Sequence, residues 1–390
     1  MGIYTGTEGN DKITPAVVSA GVERDPPGSK PSGADDTIAG LGGTDVLKGG
    51  GGNDTISAAG KGSLMRGEAG NDTIIYDTLE TDVGVKAYGD GGKDEIRFNF
   101  FNPDGGGGPA GELFFYGGAG SDVIGSSATS ESGLVIHSYG QGGNDRLEAH
   151  RTVTLSNAYP WEPGAEDNLH GGPGNDRYWV QDPEDKAIES PGEGNDTVEV
   201  YDSDYTLGAN VENLTVDPLD HGEGHTYTGN AGKNTMTGSN GDDTIEGLGG
   251  RDSLYGGEGG DVLSGGSGRD RLSGDGGGDT YAYEAVGDSR PGANRDLILQ
   301  FEGVGPADGD VIDLSGIDAI AGGGDDTFTF IGTDAFTAPG QVRVRPLSAT
   351  SLDTLVQANT AGGAGAEFEI AVMDGDIVEP EQWSEADFIL

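Results

Sequence analysis

Along much of this chain one apolar residue recurs every nine positions, nearly always two places after an acidic one, with glycines filling the space between. Between residues 229 and 281 the phrases "GNAGKNTMT", "GSNGDDTIE", "GLGGRDSLY", "GGEGGDVLS", "GGSGRDRLS" and "GDGGGDTYA" follow one another without a slip. Their sixth positions are Asn234, Asp243, Asp252, Asp261, Asp270 and Asp279; their eighth are Met236, Ile245, Leu254, Leu263, Leu272 and Tyr281. A polar–apolar–polar triplet predicts a three-residue strand with a single inward side chain. Six glycine-rich residues predict a tight turn that takes positive φ and bares backbone carbonyls. Turn, strand, turn, strand makes a coil of 18 residues, so alternate repeats stack on the same side. Strands stacked about 4.8 Å apart set Asp252 over Asp270 in one column, and Asp243, Asp261 and Asp279 in a second.

The first half carries the same phrase with less regularity. "GTEGNDKIT" supplies Asp11, and an insert over 14–30 follows. "PSGADDTIA", "GLGGTDVLK", "GGGGNDTIS", "AAGKGSLMR" and "GEAGNDTII" then run in register, with Asp36, Asp45, Asp54, Ser63 and Asp72 at the sixth position; Ser63 breaks the column of acids. Beyond Asp72 the sixth positions are Asp94, Asp122, Asp145, Asp176 and Asp196, at intervals of 22, 28, 23, 31 and 20 residues. Each interval exceeds one coil, which predicts a β-helix that keeps one regular turn per coil while the opposite turn lengthens into an irregular loop. Alternation of Ile96, Phe98 and Phe100 with Arg97 and Asn99 supports strands between the turns.

Composition changes the picture in one respect. With 76 glycines, a net charge of -47 and only 33% hydrophobic residues, the chain has the signature of disorder. A disordered acidic tail would not hold its Leu, Ile and Val in register, so the pattern predicts order that depends on a neutralising partner. Against 68 acidic residues the 21 basic ones leave nothing to neutralise phosphates, which excludes nucleic acid, and an anionic membrane would be repelled. Charges stacked about 5 Å apart repel by on the order of 3 kcal/mol at an effective dielectric near 20. A cation between turns reverses that sign. Carboxylates and carbonyls alone make an oxygen-only site, which suits calcium better than zinc or copper, and better than magnesium with its small octahedron. There is no cysteine, hence no thiolate ligand. No apolar run approaches the 18 residues a membrane span requires. "MGIYTGTEGNDKI" has neither the basic nor the apolar region of a cleavable secretory signal.

These phrases resemble the G-G-x-G-x-D-x-U-x nonapeptide of RTX (hemolysin-type) calcium-binding proteins. The resemblance implies an all-β fold, a right-handed parallel β-roll or β-helix with several calcium ions held between successive turns. It implies that the ligands are the sixth-position acids Asp11, Asp36, Asp45, Asp54, Asp72, Asp94, Asp122, Asp145, Asp176, Asp196, Asp243, Asp252, Asp261, Asp270 and Asp279, with backbone carbonyls of the turn glycines Gly247, Gly249, Gly256, Gly257, Gly265, Gly266, Gly274 and Gly276. Asn234 offers only a neutral oxygen, so a calcium there is expected to be weaker or absent. Residues 170–240 resemble the spacers between RTX arrays. From about 287 the nonapeptides stop, and "GDVIDLSGIDA" and "ADFIL" resemble the C-terminal domain of serralysin-type secreted proteases. Neither the catalytic domain nor the zinc motif of those proteases is present. An acidic residue before apolar ones at Asp387, Phe388, Ile389 and Leu390 resembles the uncleaved signal of type I secretion substrates. The expected organisation is therefore repeats over 1–72, an irregular β-helix over 73–228, a regular roll over 229–286 and a secretion or capping domain over 287–390.

Other chemistry is sparse. "HGEGH" at 221–225 spaces His221 and His225 four apart, but the glutamate is displaced from H-E-x-x-H and the glycines argue against a helix; an exposed loop is the expectation. The clusters "FNFFNP" and "LFFY" read as core, whereas Tyr159 and Trp161, flanked by prolines, are candidates for stacking on a sugar. No catalytic residue is nominated. The expected function is a calcium-binding protein, exported by a type I transporter, that folds outside the cell and acts at a surface, in a matrix or on a host. The alternative is a polysaccharide lyase or epimerase on the irregular β-helix face. A pore-forming toxin would need membrane segments, and none is found.

Overall fold

A computed structural model of the chain describes residues 1–78, 84–100, 111–128, 134–149, 151–152, 166–217, 222–302, 309–322, 324, 326–348, 353–373 and 380–390. These form two compact units, Met1–Glu199 and Val200–Leu390. The fold is all-β: short, mostly parallel strands alternate with glycine-rich turns, and no α-helix occurs among the described residues.

In the first unit the strands stack in two sheets. One runs through Thr37–Ala39, Thr55–Ala58, Thr73–Thr78, Glu95–Phe100, Val123–Ala128, Arg146–Glu148 and Arg177–Val180. The other runs through Lys12–Ile13, Val46–Gly51, Leu64–Ala69, Lys86–Gly91, Gly111–Ala119, Leu134–Gly142, Asn168–His170 and Lys186–Ile188. Thr37 pairs with Thr55 and Val46 with Leu64, one 18-residue coil on. Register survives the longer coils, since Ile74 still lies beside Ile96, and Ile96 beside Ile124. Parallel strands ordinarily need long crossovers. Here the glycine turns shorten them: the fourth position of the phrase is glycine at Gly43, Gly52, Gly70, Gly92, Gly120 and Gly143, with φ from +91° to +150°, a region barred to other residues.

Inward side chains form files along each sheet. Ile38, Ile56, Ile74, Ile96, Ile124, Leu147 and Tyr178 make one; Ile13, Leu47, Met65, Ala87, Phe115, Ser138 and Leu169 make the other, all almost wholly buried. Each large member contributes roughly 1.5–3 kcal/mol by leaving water. Volume is balanced between coils, with Phe115 set between the small residues Ala87 and Ser138.

In the second unit one sheet stacks Tyr205–Thr206, Thr226–Thr228, Thr244–Glu246, Val262–Ser264, Thr280–Ala282, Val311–Asp313 and Phe388–Ile389. The facing strands are Asn213–Val216, Thr235–Thr237, Ser253–Glu258, Arg271–Gly276, Asp296–Leu299 and Phe368–Met373. Parallel coiling thus runs past residue 286. It ends on antiparallel strands, Gln341–Pro346 on Thr354–Asn359 and Thr354–Asn359 on Phe368–Met373. The last strand packs Phe388 against Trp383 and Phe330. Just before it Ser384 and Asp387 cap each other's backbone reciprocally.

Candidate metal centres

The sixth-position aspartates form ladders. Along one column of the first unit the backbone N–H of each donates to Oδ1 of the next coil's aspartate: Asp36 to Asp54 and Asp54 to Asp72 at 2.7 Å, then Asp72 to Asp94, Asp94 to Asp122 and Asp122 to Asp145 at 2.8 Å, Asp145 to Asp176 at 2.6 Å and Asp176 to Asp196 at 2.8 Å. In the second unit Asp243 donates to Asp261, Asp261 to Asp279, Asn234 to Asp252 and Asp252 to Asp270 at 2.7–2.9 Å. One carboxylate oxygen is thereby spent on orienting the neighbouring coil.

The other oxygen has no such use. Oδ2 of Asp45, Asp54, Asp72, Asp94, Asp122, Asp145, Asp176, Asp252, Asp261, Asp270 and Asp279 is buried without a hydrogen-bond partner, an arrangement that is costly for a charged group. A second oxygen lies close to several of them, those of Asp72, Asp94, Asp122, Asp145, Asp176, Asp252 and Asp261. A Cβ placed on Gly247 would sit 2.7 Å from Asp252 Oδ2 and 2.7 Å from the carbonyl oxygen of Gly265. The Gly256 position stands likewise between Asp261 Oδ2 and the carbonyl of Gly274, and Gly67 between Asp72 Oδ2 and the carbonyl of Gly89. The first glycine of the phrase therefore leaves room for a cradle of one carboxylate and one carbonyl from successive coils, with no nitrogen or sulfur donor. That donor set fits calcium. Without a cation, burial pushes the carboxyls of Asp54, Asp94, Asp145, Asp252 and Asp261 up to about 7, and those of Asp45, Asp176 and Asp270 to about 6, with neighbouring acids adding to most of these shifts.

Not all the expected aspartates leave Oδ2 unpartnered, although Asp11 and Asp243 also face a carbonyl of the next coil across Gly6 and Gly238. Asp11 Oδ2 accepts from the Thr7 N–H and hydroxyl, Asp36 accepts from Gly2 and Ser32, and Asp243 Oδ2 accepts from the Ser239 N–H. Asp36 and Asp243 stand in the ladders with both oxygens hydrogen-bonded by the chain, and Asp11 with its Oδ2 so bonded. Asn234 turns its amide into the preceding loop, donating to the carbonyl of Val211 at 3.1 Å. Ser63 keeps the ladder without the charge, its Oγ accepting from the Asp45 N–H at 3.0 Å. Among the turn glycines, Gly247, Gly256, Gly265 and Gly274 occupy the first position beside the cradles. Gly257 and Gly266 are second-position residues with φ of +121° and +69°. Gly249 donates to the Gly247 carbonyl at 3.0 Å, and the Gly276 carbonyl accepts from Gly259 at 2.8 Å. Tyr159, Trp161 and His221 lie outside the described residues. His225 faces Asp202 and Asp204, and it belongs to no metal-type cluster among the described residues.

Four ladder acids lie outside the nonapeptide phrases. Asp270 donates to Asp296 and Asp279 to Asp310, carrying both columns past 286. Ile136 donates to Asp167 Oδ1 and Asp167 to Asp185 Oδ1, restoring the second column of the first unit. Each sits in an Asp–x–apolar triplet, "DLI", "DVI", "DNL" and "DKA", a signal still visible once the glycines are gone. Between Ser63 and Asp167 the same column is held by Val85, Leu113 and Ile136, all buried. Aliphatic side chains there replace the acids.

Comparison with known proteins agrees with the donor chemistry. The sequence matches the RTX calcium-binding nonapeptide repeat in four copies, at residues 32–60, 164–179, 228–263 and 246–281. An endo-1,3-1,4-beta-glycanase, ExsH of Rhizobium meliloti, is 37% identical over 98 residues, which cover 25% of this chain and 18% of that protein. This chain therefore matches less than a fifth of that relative's length. Among solved structures, the R3 subunit of the Azotobacter vinelandii mannuronan C5-epimerase AlgE6 is 28% identical, covering 44% of this chain and 81% of its own, with a TM-score of 0.27. The R2 subunit is 26% identical, covering 45% and 96%, with a TM-score of 0.31. Superpositions that loose carry no argument about the fold, which rests on the strand register.

Proposed function

We propose that this chain, which carries RTX calcium-binding nonapeptide repeats, is a secreted protein that calcium folds once it has left the cell, and that it then acts at a surface, in a matrix or on a host. The observation that carries this reading is the row of buried, unpartnered Oδ2 atoms, because such a fold is disfavoured wherever free calcium is scarce. The ladder aspartates and first-position glycine carbonyls are the proposed ligands. Extracellular-type calcium modules bind at about 10⁻⁴–10⁻³ M, and one site at tenfold excess adds roughly 1.4 kcal/mol. Several sites together reach the stability of a typical domain. A type I transporter, reading the C-terminal segment before it folds, is the proposed exit route. Circular dichroism tests the switch: chelator is expected to remove most of the β signal and millimolar calcium to restore it, and an unchanged thermal midpoint would overturn the reading.

One observation favours a second reading, a polysaccharide-acting enzyme or binder. On the outer face of the first unit, Tyr88, Tyr116, Tyr139 and His170 stack ring on ring at 4.6–4.8 Å, and Phe114 stacks on His137 beside them at 4.8 Å. Arg66 lies over the Tyr88 ring. The rings cover one another's faces, so they offer edges and polar atoms to solvent, a ribbon suited to hydrogen-bonding a long hydroxylated polymer. Assaying acidic polysaccharides for depolymerisation, epimerisation and retention, with calcium present, separates the two readings.

A further inference from the structure

Where the first ladder meets residues outside the nonapeptide, a third acid joins it. One carboxylate oxygen each of Asp176, Glu189 and Asp196 lies within 4.8 Å of the others. Asp176 is 1% exposed and its Oδ2 has no hydrogen-bond partner. Glu189 belongs to no repeat phrase: it precedes "PGEGNDTVE" and reaches back into the column. A Cβ placed on Gly171 would strike Asp176 Oδ2, the Tyr178 hydroxyl and Glu189 Oε1 together, so these atoms converge on the place that other rungs leave to a carboxylate and a carbonyl. The fully buried Tyr178 fixes the third acid. Its hydroxyl donates to Glu189 Oε1 and accepts from the Gly171 N–H at 2.9 Å.

We infer that Asp176, Glu189 and Asp196 form a three-carboxylate calcium site distinct from the ordinary rungs, and that it fills before them. Oxygens sharing one calcium at 2.3–2.6 Å can stand no more than about 5 Å apart, and this trio meets that bound. Charge count and rigidity tune calcium affinity over orders of magnitude, and here one more carboxylate is held in place by a phenol that cannot move within the core. Binding at this site would give the coils of the first unit a fixed end from which to order.

Calcium titration calorimetry on the full chain tests the assignment, with Glu189→Gln, which keeps an acceptor for Tyr178 and removes the charge. The expected result is loss of the tightest binding class, or its weakening by about tenfold or more, with the weaker classes unchanged. Asp261→Asn, a rung of the other unit, serves as the control and is expected to change only a weaker class. Wild-type titration by Glu189→Gln overturns the inference; if Asp261→Asn nevertheless alters binding, the ladder reading stands without it. Should Glu189→Gln fail to fold in calcium, Glu189→Asp, which keeps the charge and shortens the reach, is expected to fold with a weakened tight class. Wild-type affinity in that variant also overturns the inference.

Discussion

The coils around residues 234–282 and those around 63–148 obey one register and hold themselves together differently. In the former, strands such as Thr244–Glu246 and Val262–Ser264 are three residues long, one apolar side chain per strand points inward, and aspartates line both columns. In the latter, Gly111–Ala119 and Leu134–Gly142 are nine residues long. One column stays acidic while the other passes through Val85, Leu113 and Ile136, and Tyr76, Phe98 and Phe115 thicken the core. A coil can thus be closed by a cation between carboxylates or by aliphatic burial at the same backbone position. Where the second solution is used, longer strands provide the surface to bury. On the proposed reading the first depends on calcium, and the second much less.

Hydrogen exchange in chelator should split the two regions most sharply. Peptides from 235–282 are expected to exchange as unfolded chain, while peptides from 85–100, 112–128 and 135–139 keep measurable protection; equal loss in both would break the comparison. Next in size is a pH effect of unusual sign. Burial raises the carboxyls of Asp252 and Asp261 to about 7 in the folded chain, against an ordinary value near 3.9 when unfolded. The calcium-free fold therefore holds protons that the unfolded chain releases, and its stability falls as pH rises from about 4 through about 7. Thermal melts in chelator should rise on acidification from pH 8 to pH 5.5. In saturating calcium the trend should invert, because protons then compete with the cation. Melts that move in the same direction in both conditions would count against the ladder as the ligand set.

Ile136→Ala tests the aliphatic solution. It is expected to cost roughly 2–5 kcal/mol, read as a shift in denaturant midpoint of the first unit that is the same at low and high calcium. A loss that vanishes at high calcium would show that the column still depends on the ion. The smallest effect is expected from Asp261→Asn: about 1.4 kcal/mol, one site's share at tenfold excess, present in calcium and absent in chelator.

Much of this was legible in the nonapeptides. The 18-residue coil, the pairing of Asp252 with Asp270, and the inward Leu263 and Leu272 follow from glycine, aspartate and leucine at constant spacing. Asp167, Asp185, Asp296 and Asp310 were not legible by that route, because their turns have lost the glycines and their spacing varies. Only the Asp–x–apolar triplet marks them, and a triplet is too short to stand out in so acidic a chain. Glu189 carried no signal at all. It joins Asp176 and Asp196 because Tyr178, seven residues after Gly171 and eleven before Glu189, folds into the core and holds both.

The sequence alone determined the repeating unit, the direction of each side chain within it and the kind of cation it can hold, because those depend on local spacing and on the chemistry of the donor atoms. Tertiary structure decided which coils stack across insertions, where aliphatic side chains take over a column of acids, and where a third carboxylate enters a rung. Those outcomes depend on register between segments 20–31 residues apart. Register of that range is set by how the intervening chain closes and what it buries, and no single phrase encodes it.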